Sequence, residues 1–375
     1  MKLGVIRETA DRERRVGLVP ETARRLAKKG IEIVVETDAG RAAGFVDSDY
    51  RDAGATMAAD ATAVLAQART VVKVQAPSDD EVAALAGGTN LVSLLFPLAN
   101  PSLAGRLAAR GVNAIALDRI PRTTLAQAMD VLSSQATIAG YRAVILGAAE
   151  LPKFFPLLMT AAGRIDPART LILGAGVAGL QAIGIARRLG AVVEAYDVRA
   201  AVKEQVESLG ATFVDIGVAT DAETAGGYAK EVGEDVQRRA NEVIGEHLEH
   251  TDLCITTALI PGRPAPKLLT AEMVRRMPPG AVVVDIAAEQ GGNCELTRAG
   301  ETVEDSGVRI LGPKNLPSDV PHDASQMFSR NVEKLLLYML ADGELQFDFD
   351  KEIVRGCVTT FDGKIVDDEV AQAAA

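Results

Sequence analysis

The chain is poor in the residues that usually announce a metal centre or a cross-linked, exported fold. Three cysteines stand in 375 residues, Cys254, Cys294 and Cys357, widely spaced and odd in number. They show no interval suited to metal ligation, so reduced, buried thiols are expected. Histidine is equally scarce, and two of the three, His247 and His250, lie in the charged stretch NEVIGEHLEH, where a solvated helix face accounts for them. The longest apolar runs, around 91–98 and 335–340, fall well short of the ~18 residues that cross a bilayer. The opening MKLGVIRE passes from a strand-like run straight into charge, without the apolar core and cleavage site of an export signal, and a cytoplasmic protein is expected. Basic charge is in deficit too. With 40 Lys and Arg against 51 Asp and Glu, the net charge of −11 repels polyanions and argues against a nucleic-acid partner.

What is present is a regular alternation. Short β-branched runs and amphipathic stretches succeed one another along almost the whole chain, the pattern of parallel sheets joined by crossover helices, so the fold class is α/β. At this length two domains are expected. Early strands are read at 3–6, 32–36, 70–74, 91–95 and 114–117, with a helix over 20–29 that Pro20 opens and Gly30 follows. A helical pattern from 124 through 142, interrupted at Gly140 and continuing toward 153, reads as a connection between domains. A second sheet starts at RTLILGAGVAGLQ and continues, after a polar stretch at 221–233, with LCITTAL and AVVVDIAAE. Residues 315–340 read as a loop and a helix returning the chain to the first domain, and the closing VAQAAA should fray. The expected architecture is two doubly wound parallel-sheet, Rossmann-like domains separated by a cleft. The first is an N-terminal α/β domain of 1–130 plus 322–375, and the second, 131–321, binds a dinucleotide.

The dinucleotide signal lies at Gly174, Gly176 and Gly179, which match G-x-G-x-x-G between an apolar strand and a helix expected from Val177. Each glycine has a separate purpose: a tight turn, close backbone approach to a diphosphate, and close packing of helix on strand. The diphosphate would rest on the helix N-terminus, where unpaired N–H groups and the dipole favour negative charge. A second strand, AVVEAYD, ends in Asp197, eighteen residues after Gly179. That carboxylate is suited to accept hydrogen bonds from ribose hydroxyls and to repel a 2′-phosphate, so NAD is favoured over NADP. Arg199, two residues on, is the nearby cation that a phosphate would meet.

The segments PRTTLAQAMDVLSSQATIAGYRAV, GAGVAGLQAIGIARRLGAVVEAYDVRAAVKEQVESLGA, TAGGYAKE, TTALIPGRPAPKLL and VVDIAAEQGGNCE closely resemble the NAD(H)-binding alpha subunit of proton-translocating NAD(P) transhydrogenases, over nearly the whole chain. The resemblance implies a subunit that binds NAD(H) and docks on a membrane-embedded, proton-carrying subunit. Hydride would pass directly to or from NADP(H) on a further subunit. It also implies peripheral association with the membrane through those partners. A homodimer is expected as the commonest soluble assembly. Carried onto this sequence, nicotinamide-side contacts fall on Arg122, Gln127, Asp130 and Ser133, of which Arg122 and Gln127 would position the ring. Diphosphate and ribose contacts fall on Ala175, Gly176 and Val177 and on Asp197, Val198 and Arg199. Gly227 and Tyr228 match a loop that closes over nucleotide in that family, and Leu259 an adenine-side contact. Thr124 and Ala136 stand where the family often has Ser.

Alanine dehydrogenases resemble the chain as well, sharing the two-domain plan, the ERRVGLVP opening with Arg15 and the glycine fingerprint. Reducing an imino or keto acid puts negative charge on a heteroatom and calls for a proton donor and a cation beside it. That family uses a lysine and a histidine. In the matching segments KVQAP and SLLFPLA this chain has Gln75 and Phe96, neither of which can give a proton, and after VDIA it has Glu289 in place of an aspartate. Hydride transfer between two nicotinamides creates no such anion and needs only close, aligned placement of two rings. Lys73 and Arg15 then read as cations that stabilise the fold. A third reading, a regulatory NAD-sensing module, would need neither RTTLAQAMD nor TAGGYAK, and both are present.

Overall fold

A computed structural model of the chain describes residues 1–217, 233–260 and 264–374. Its contacts fall into two compact units, Met1–Gln135 with Pro317–Ala375, and Ala136–Leu316. The division lies inside the helix Val131–Glu150. Both units are α/β, each built on a parallel-dominated sheet.

In the first unit, β1 (Lys2–Val5), β2 (Glu32–Glu36), β3 (Thr56–Ala58), β4 (Thr70–Val72), β5 (Asn90–Ser93) and β6 (Asn113–Ala116) are parallel and lie in the order β3-β2-β1-β4-β5-β6. The order reverses between β1 and β4, which is the doubly wound plan. Alternate residues face opposite layers. Leu3, Val5, Val72, Val92 and Ile115 pack with Phe328, Val332 and Leu335 of the helix Pro321–Met339. Val34, Val71, Leu91 and Ala114 pack with Val64, Leu103 and Leu107 on the other side. Ser318, Ser325 and Ser329 accept hydrogen bonds from the amides of Arg14, Val16 and Val19 and so fix the returning segment.

Three details depart from the sequence reading. The sheet is not wholly parallel: Val358–Phe361 runs antiparallel to β6 and turns through Asp362 and Gly363, at φ 47° and 76°, into Lys364–Ile365. Positive φ at both turn positions suits the twist of a two-residue hairpin. The segment expected to fray is helical over Asp368–Ala374, where Asp367 accepts from the Glu369 and Val370 amides and Val370 is fully buried. The helix expected from 124 begins instead at Val131, after a 3-10 turn over Gln127–Met129, and runs unbroken through Gly140. Glycine is required there for proximity, since a Cβ would lie 2.1 Å from the Ala178 carbonyl oxygen.

The second unit holds β7 (Arg169–Leu173), β8 (Val192–Tyr196), β9 (Thr212–Phe213), β10 (Leu253–Thr256), β11 (Val282–Asp285), β12 (Thr302–Asp305) and β13 (Val308–Leu311), in the order β9-β8-β7-β10-β11-β13-β12. Among the described strands of this sheet, the edge strand β12 alone is antiparallel to its neighbour. Strand order reverses between β7 and β10, so the loops that follow these two strands form the switch point. The three cysteines are buried and free. His247 is not simply solvated, because its Nδ1 lies 2.9 Å from Glu194 Oε2. No helix among the described residues is long and apolar enough to cross a membrane, and no described cluster of His, Cys, Asp and Glu could hold a metal ion.

Candidate functional site

The loop after β7 explains two of its three glycines by its own packing. Gly174 has φ +102°, and a Cβ there would meet Thr257 Oγ1 at 2.6 Å. At Gly179 a Cβ would stand 1.8 Å from the Gly174 carbonyl oxygen, which itself accepts from Thr257 Oγ1 at 3.0 Å. Gly176 differs. Its φ of −75° suits any residue, and the nearest atom to an added Cβ is Arg199 Nη2 at 3.9 Å. Among the described residues nothing in the packing requires glycine at 176, so the missing side chain leaves room there. Gly176 is also the N-cap of the helix Val177–Arg188 and carries no side chain to cap with. The amides of the first turn therefore present the partial positive charge of a helix start.

Asp197 follows β8 and is almost wholly buried. Its Oδ2 accepts from the Ala175 amide at 2.7 Å and from Arg199 Nη2 at 2.8 Å, and its Oδ1 accepts from the Arg199 amide and Nε, both at 2.9 Å. Four bonds match the roughly four lone-pair positions of a carboxylate. The Asp197 oxygens, expected to face ribose hydroxyls, accept from the Ala175 and Arg199 amides and from the Arg199 guanidinium, and the Ala175 amide is directed at Asp197. Val198 packs against the core of this unit.

After β10, Thr257, Ala258 and Leu259 run beside the glycine loop, through the Thr257 hydroxyl bond to Gly174. Sequence reasoning singled out Leu259 but missed what holds it. Asn293, fully buried, donates to the Ala258 and Pro266 carbonyls at 2.8 Å each and accepts from the Ala258 amide at 3.0 Å. Asp285, at the end of β11, accepts from the Thr256 and Thr297 hydroxyls and from the Ala287 and Cys294 amides. The QGGN turn after an apolar strand was the available signal, since a buried Asn there has backbone to clamp. Gly227 and Tyr228 lie outside the described residues.

In the first unit Arg122, Asp130 and Ser133 form one hydrogen-bonded group. Ser133 donates through its amide to Asp130 Oδ1 at 2.9 Å and through its hydroxyl to Oδ2 at 2.5 Å, while Arg122 Nη2 donates to Ser133 Oγ at 3.0 Å. Asp130 caps the helix Val131–Glu150 by this geometry, a structural duty the sequence did not disclose. Gln127 is exposed on the 3-10 turn.

The positions that would carry dehydrogenase chemistry are occupied differently. Arg15 is buried and paired bidentately with Glu13 at 2.7 and 2.8 Å, and its Nη1 donates to Gln135 at 2.8 Å. Gln75 donates to the same Glu13 at 2.8 Å. Burial alone would raise the Glu13 carboxyl, but the hydrogen bonds and charge of Arg15, with the Gln75 amide, outweigh it and hold the pKa at about 2. Lys73 is buried between Glu81 at 2.7 Å and Glu8 at 3.6 Å. Burial raises the Glu8 pKa against the opposing charge of Lys73. Phe96 is 44% exposed at φ 44°, its amide donating to Asp118. Glu289 accepts from the Asn315 amide. The arginine is thus matched by a carboxylate, and no proton donor stands at 75 or 96.

With this geometry in hand, comparison with known proteins is direct. The profile described as alanine dehydrogenase/PNT, N-terminal domain, matches residues 4–139, and that described as alanine dehydrogenase/PNT, C-terminal domain, matches residues 143–368. The chain belongs to the alanine dehydrogenase/PNT family. Within this family it is 48% identical over 375 residues to the first of the chains that make up NAD(P) transhydrogenase subunit alpha in Rhodospirillum rubrum, covering 98% of each protein. It matches the crystal structure of transhydrogenase from Sinorhizobium meliloti with a TM-score of 0.89 at 40% identity, over 97% of this chain and 100% of that one. The alanine dehydrogenase of Halomonas elongata is more distant, 31% identical over 380 residues that cover 100% of this chain and 96% of that protein.

Proposed function

We propose that this chain is the NAD(H)-binding subunit of a proton-translocating NAD(P) transhydrogenase. Hydride would pass between NADH here and NADP⁺ on a partner subunit, coupled to proton movement through a membrane subunit. The observation that carries the nucleotide part of this reading is Gly176. The first and third glycines of the fingerprint serve the fold, whereas no described residue crowds the second, which stands at a helix start suited to a ligand. The similarity to transhydrogenase alpha subunits supports the assignment to that complex.

Bound nicotinamide would supply a C4 position that gives or takes hydride. The chain's own residues would then bind and orient. Gly176 and Val177 offer amides to the diphosphate, Asp197, Val198 and Arg199 serve the adenosine ribose, and Leu259 covers the adenine side. Arg122, held by Ser133 and Asp130, and Gln127 are assigned to the nicotinamide end as positioning groups that exchange no proton. Gln75 and Phe96 support this against the dehydrogenase reading, because neither protonates a developing anion. The protein would act as a cytoplasmic homodimer attached to the membrane through its partners.

The purified chain should bind NADH in isothermal titration and turn over only when the partner subunits are added in vesicles. Incubation with NADH, pyruvate and ammonium should give no alanine. Steady alanine formation would assign the chain to the dehydrogenases instead.

A further inference from the structure

We infer that Asn331 is a positioning residue for the nicotinamide end: by holding the Ala128 carbonyl it fixes the 3-10 turn that presents Gln127. The inference rests on the functional reading above and deepens it, because it names what sets the aim of a group assigned to the ring.

The helix Pro321–Met339 buries a stripe on which Ala324, Phe328, Asn331 and Leu335 recur at helical spacing. Three of these are apolar and fully buried, and the fourth is an amide at 9% exposure. A buried amide costs desolvation unless it is hydrogen-bonded. Asn331 Nδ2 donates to the Ala128 carbonyl at 2.9 Å, and among the described residues no group donates to its Oδ1. What this side chain does inside an apolar face is therefore to hold the turn.

The turn calls for support at that point. Ala126 and Met129 are buried in the same core as Phe328 and Leu335, whereas Gln127 and Ala128 between them are exposed. Within the turn the Met129 amide donates to the Ala126 carbonyl at 2.7 Å, and the Asp130 amide to the Gln127 carbonyl at 3.4 Å. Asn331 adds a link from the exposed half to a helix of 19 residues. The same helix also receives the next segment, since Gln135 donates to the Ala324 carbonyl at 3.2 Å, two helical turns before Asn331. Gln135 stands on the helix Val131–Glu150 with Ser133, which accepts from Arg122. Gln127 and Arg122 are thus referred to one rigid element. Two groups that act on one ring need such a common reference, because a misplacement of about 1 Å is enough to weaken their combined action.

The test measures NADH and ADP-ribose affinity by isothermal titration on the full chain. ADP-ribose lacks the nicotinamide. The proteins are wild type, Asn331→Ala, Asn331→Leu, Gln127→Ala, and Gln127→Ala combined with each Asn331 variant. Alanine leaves a small space and leucine fills it, and both lack the donor. Ala128 is exposed, so water replaces the lost bond and the Tm should change little. NADH affinity relative to ADP-ribose should fall about three- to tenfold in Gln127→Ala and in the Asn331 variants alike, the worth of one hydrogen bond. Added to Gln127→Ala, either Asn331 substitution should lower the ratio less than about twofold further, because its effect passes through a side chain already removed. If Gln127→Ala lowers the ratio and neither Asn331 variant does, or if the losses multiply, the positioning role is wrong and the functional reading stands. Failure of both Asn331 variants to fold would make the residue structural and overturn the role as well. If Gln127→Ala keeps the wild-type ratio, the assignment of Gln127 falls and the inference with it. If wild type binds neither ligand, the functional reading itself fails.

Discussion

Gly176→Ala and Gly179→Ala differ by three positions on one loop and should separate folding from binding. At Gly179 the new Cβ would be placed 1.8 Å from a backbone carbonyl oxygen that cannot yield without moving β7 or the helix Val177–Arg188. Overpacking of this kind costs about 3 kcal/mol or more, which for a unit of this size lowers the Tm by roughly 6–12 °C. At Gly176 the Cβ finds its nearest neighbour at 3.9 Å and an allowed backbone. Alanine is a poorer N-cap than glycine by about 0.5–1 kcal/mol, but it loses less chain entropy on folding, which returns about 0.4–1 kcal/mol. The net change should be near zero and the Tm should stay within about 2 °C. A methyl pressed against the diphosphate is another matter. An overpacking penalty of about 1–3 kcal/mol, borne only by the complex, weakens NADH binding by about 5- to 150-fold. Differential scanning calorimetry and isothermal titration on the two variants read both halves. Wild-type NADH affinity in Gly176→Ala would refute the reasoning, as would a Tm loss equal to that of Gly179→Ala.

Other consequences follow from the buried polar groups. Glu13 has its pKa held at about 2 against an ordinary 4.5, so its ion pair contributes about 3 kcal/mol to folding, present in full above about pH 5 and lost as pH falls toward 2. Glu13→Gln should cost about 3–5 kcal/mol at pH 7 by leaving Arg15 without its carboxylate. Its deficit relative to wild type should shrink between pH 5 and pH 3 in urea unfolding, and a constant deficit would contradict the assignment. Asn293→Ala leaves buried backbone groups at Ala258 and Pro266 unsatisfied; stability should fall by about 2 kcal/mol or more, and NADH affinity should fall with it as the Leu259 segment loosens. Gly140→Ala sets a methyl against the Ala178 carbonyl, and an unfolding transition at the wild-type temperature would show that the contact is not as close as described.

Much of the second unit was legible because its signals are local. Gly174 at positive φ, Gly179 under a carbonyl, and a strand that leads into Asp197 are demands that a few neighbouring residues settle among themselves, so spacing reveals them. The α/β class was legible for the same reason, since helix and strand periods repeat along the chain. What resisted reading depends on partners far away in sequence. The antiparallel strand Val358–Phe361 forms because β6, about 245 residues earlier, offers an edge, and no local pattern states that. Gly140 looks like a helix breaker until the Ala178 carbonyl is seen above it.

The candidate site divides along the same line. The sequence by itself determined the glycine fingerprint, the acidic residue after the second strand and the absence of a proton donor at 75 and 96, because these are matters of residue type and spacing. Only the tertiary structure decided that Arg199 pairs with Asp197, that Glu13 matches the charge of Arg15, that Asp130 caps a helix and that Asn293 clamps the segment leading to Leu259. The physical reason is that a charge or a buried amide acquires its role from the groups that replace its lost water, and those groups are chosen by folding.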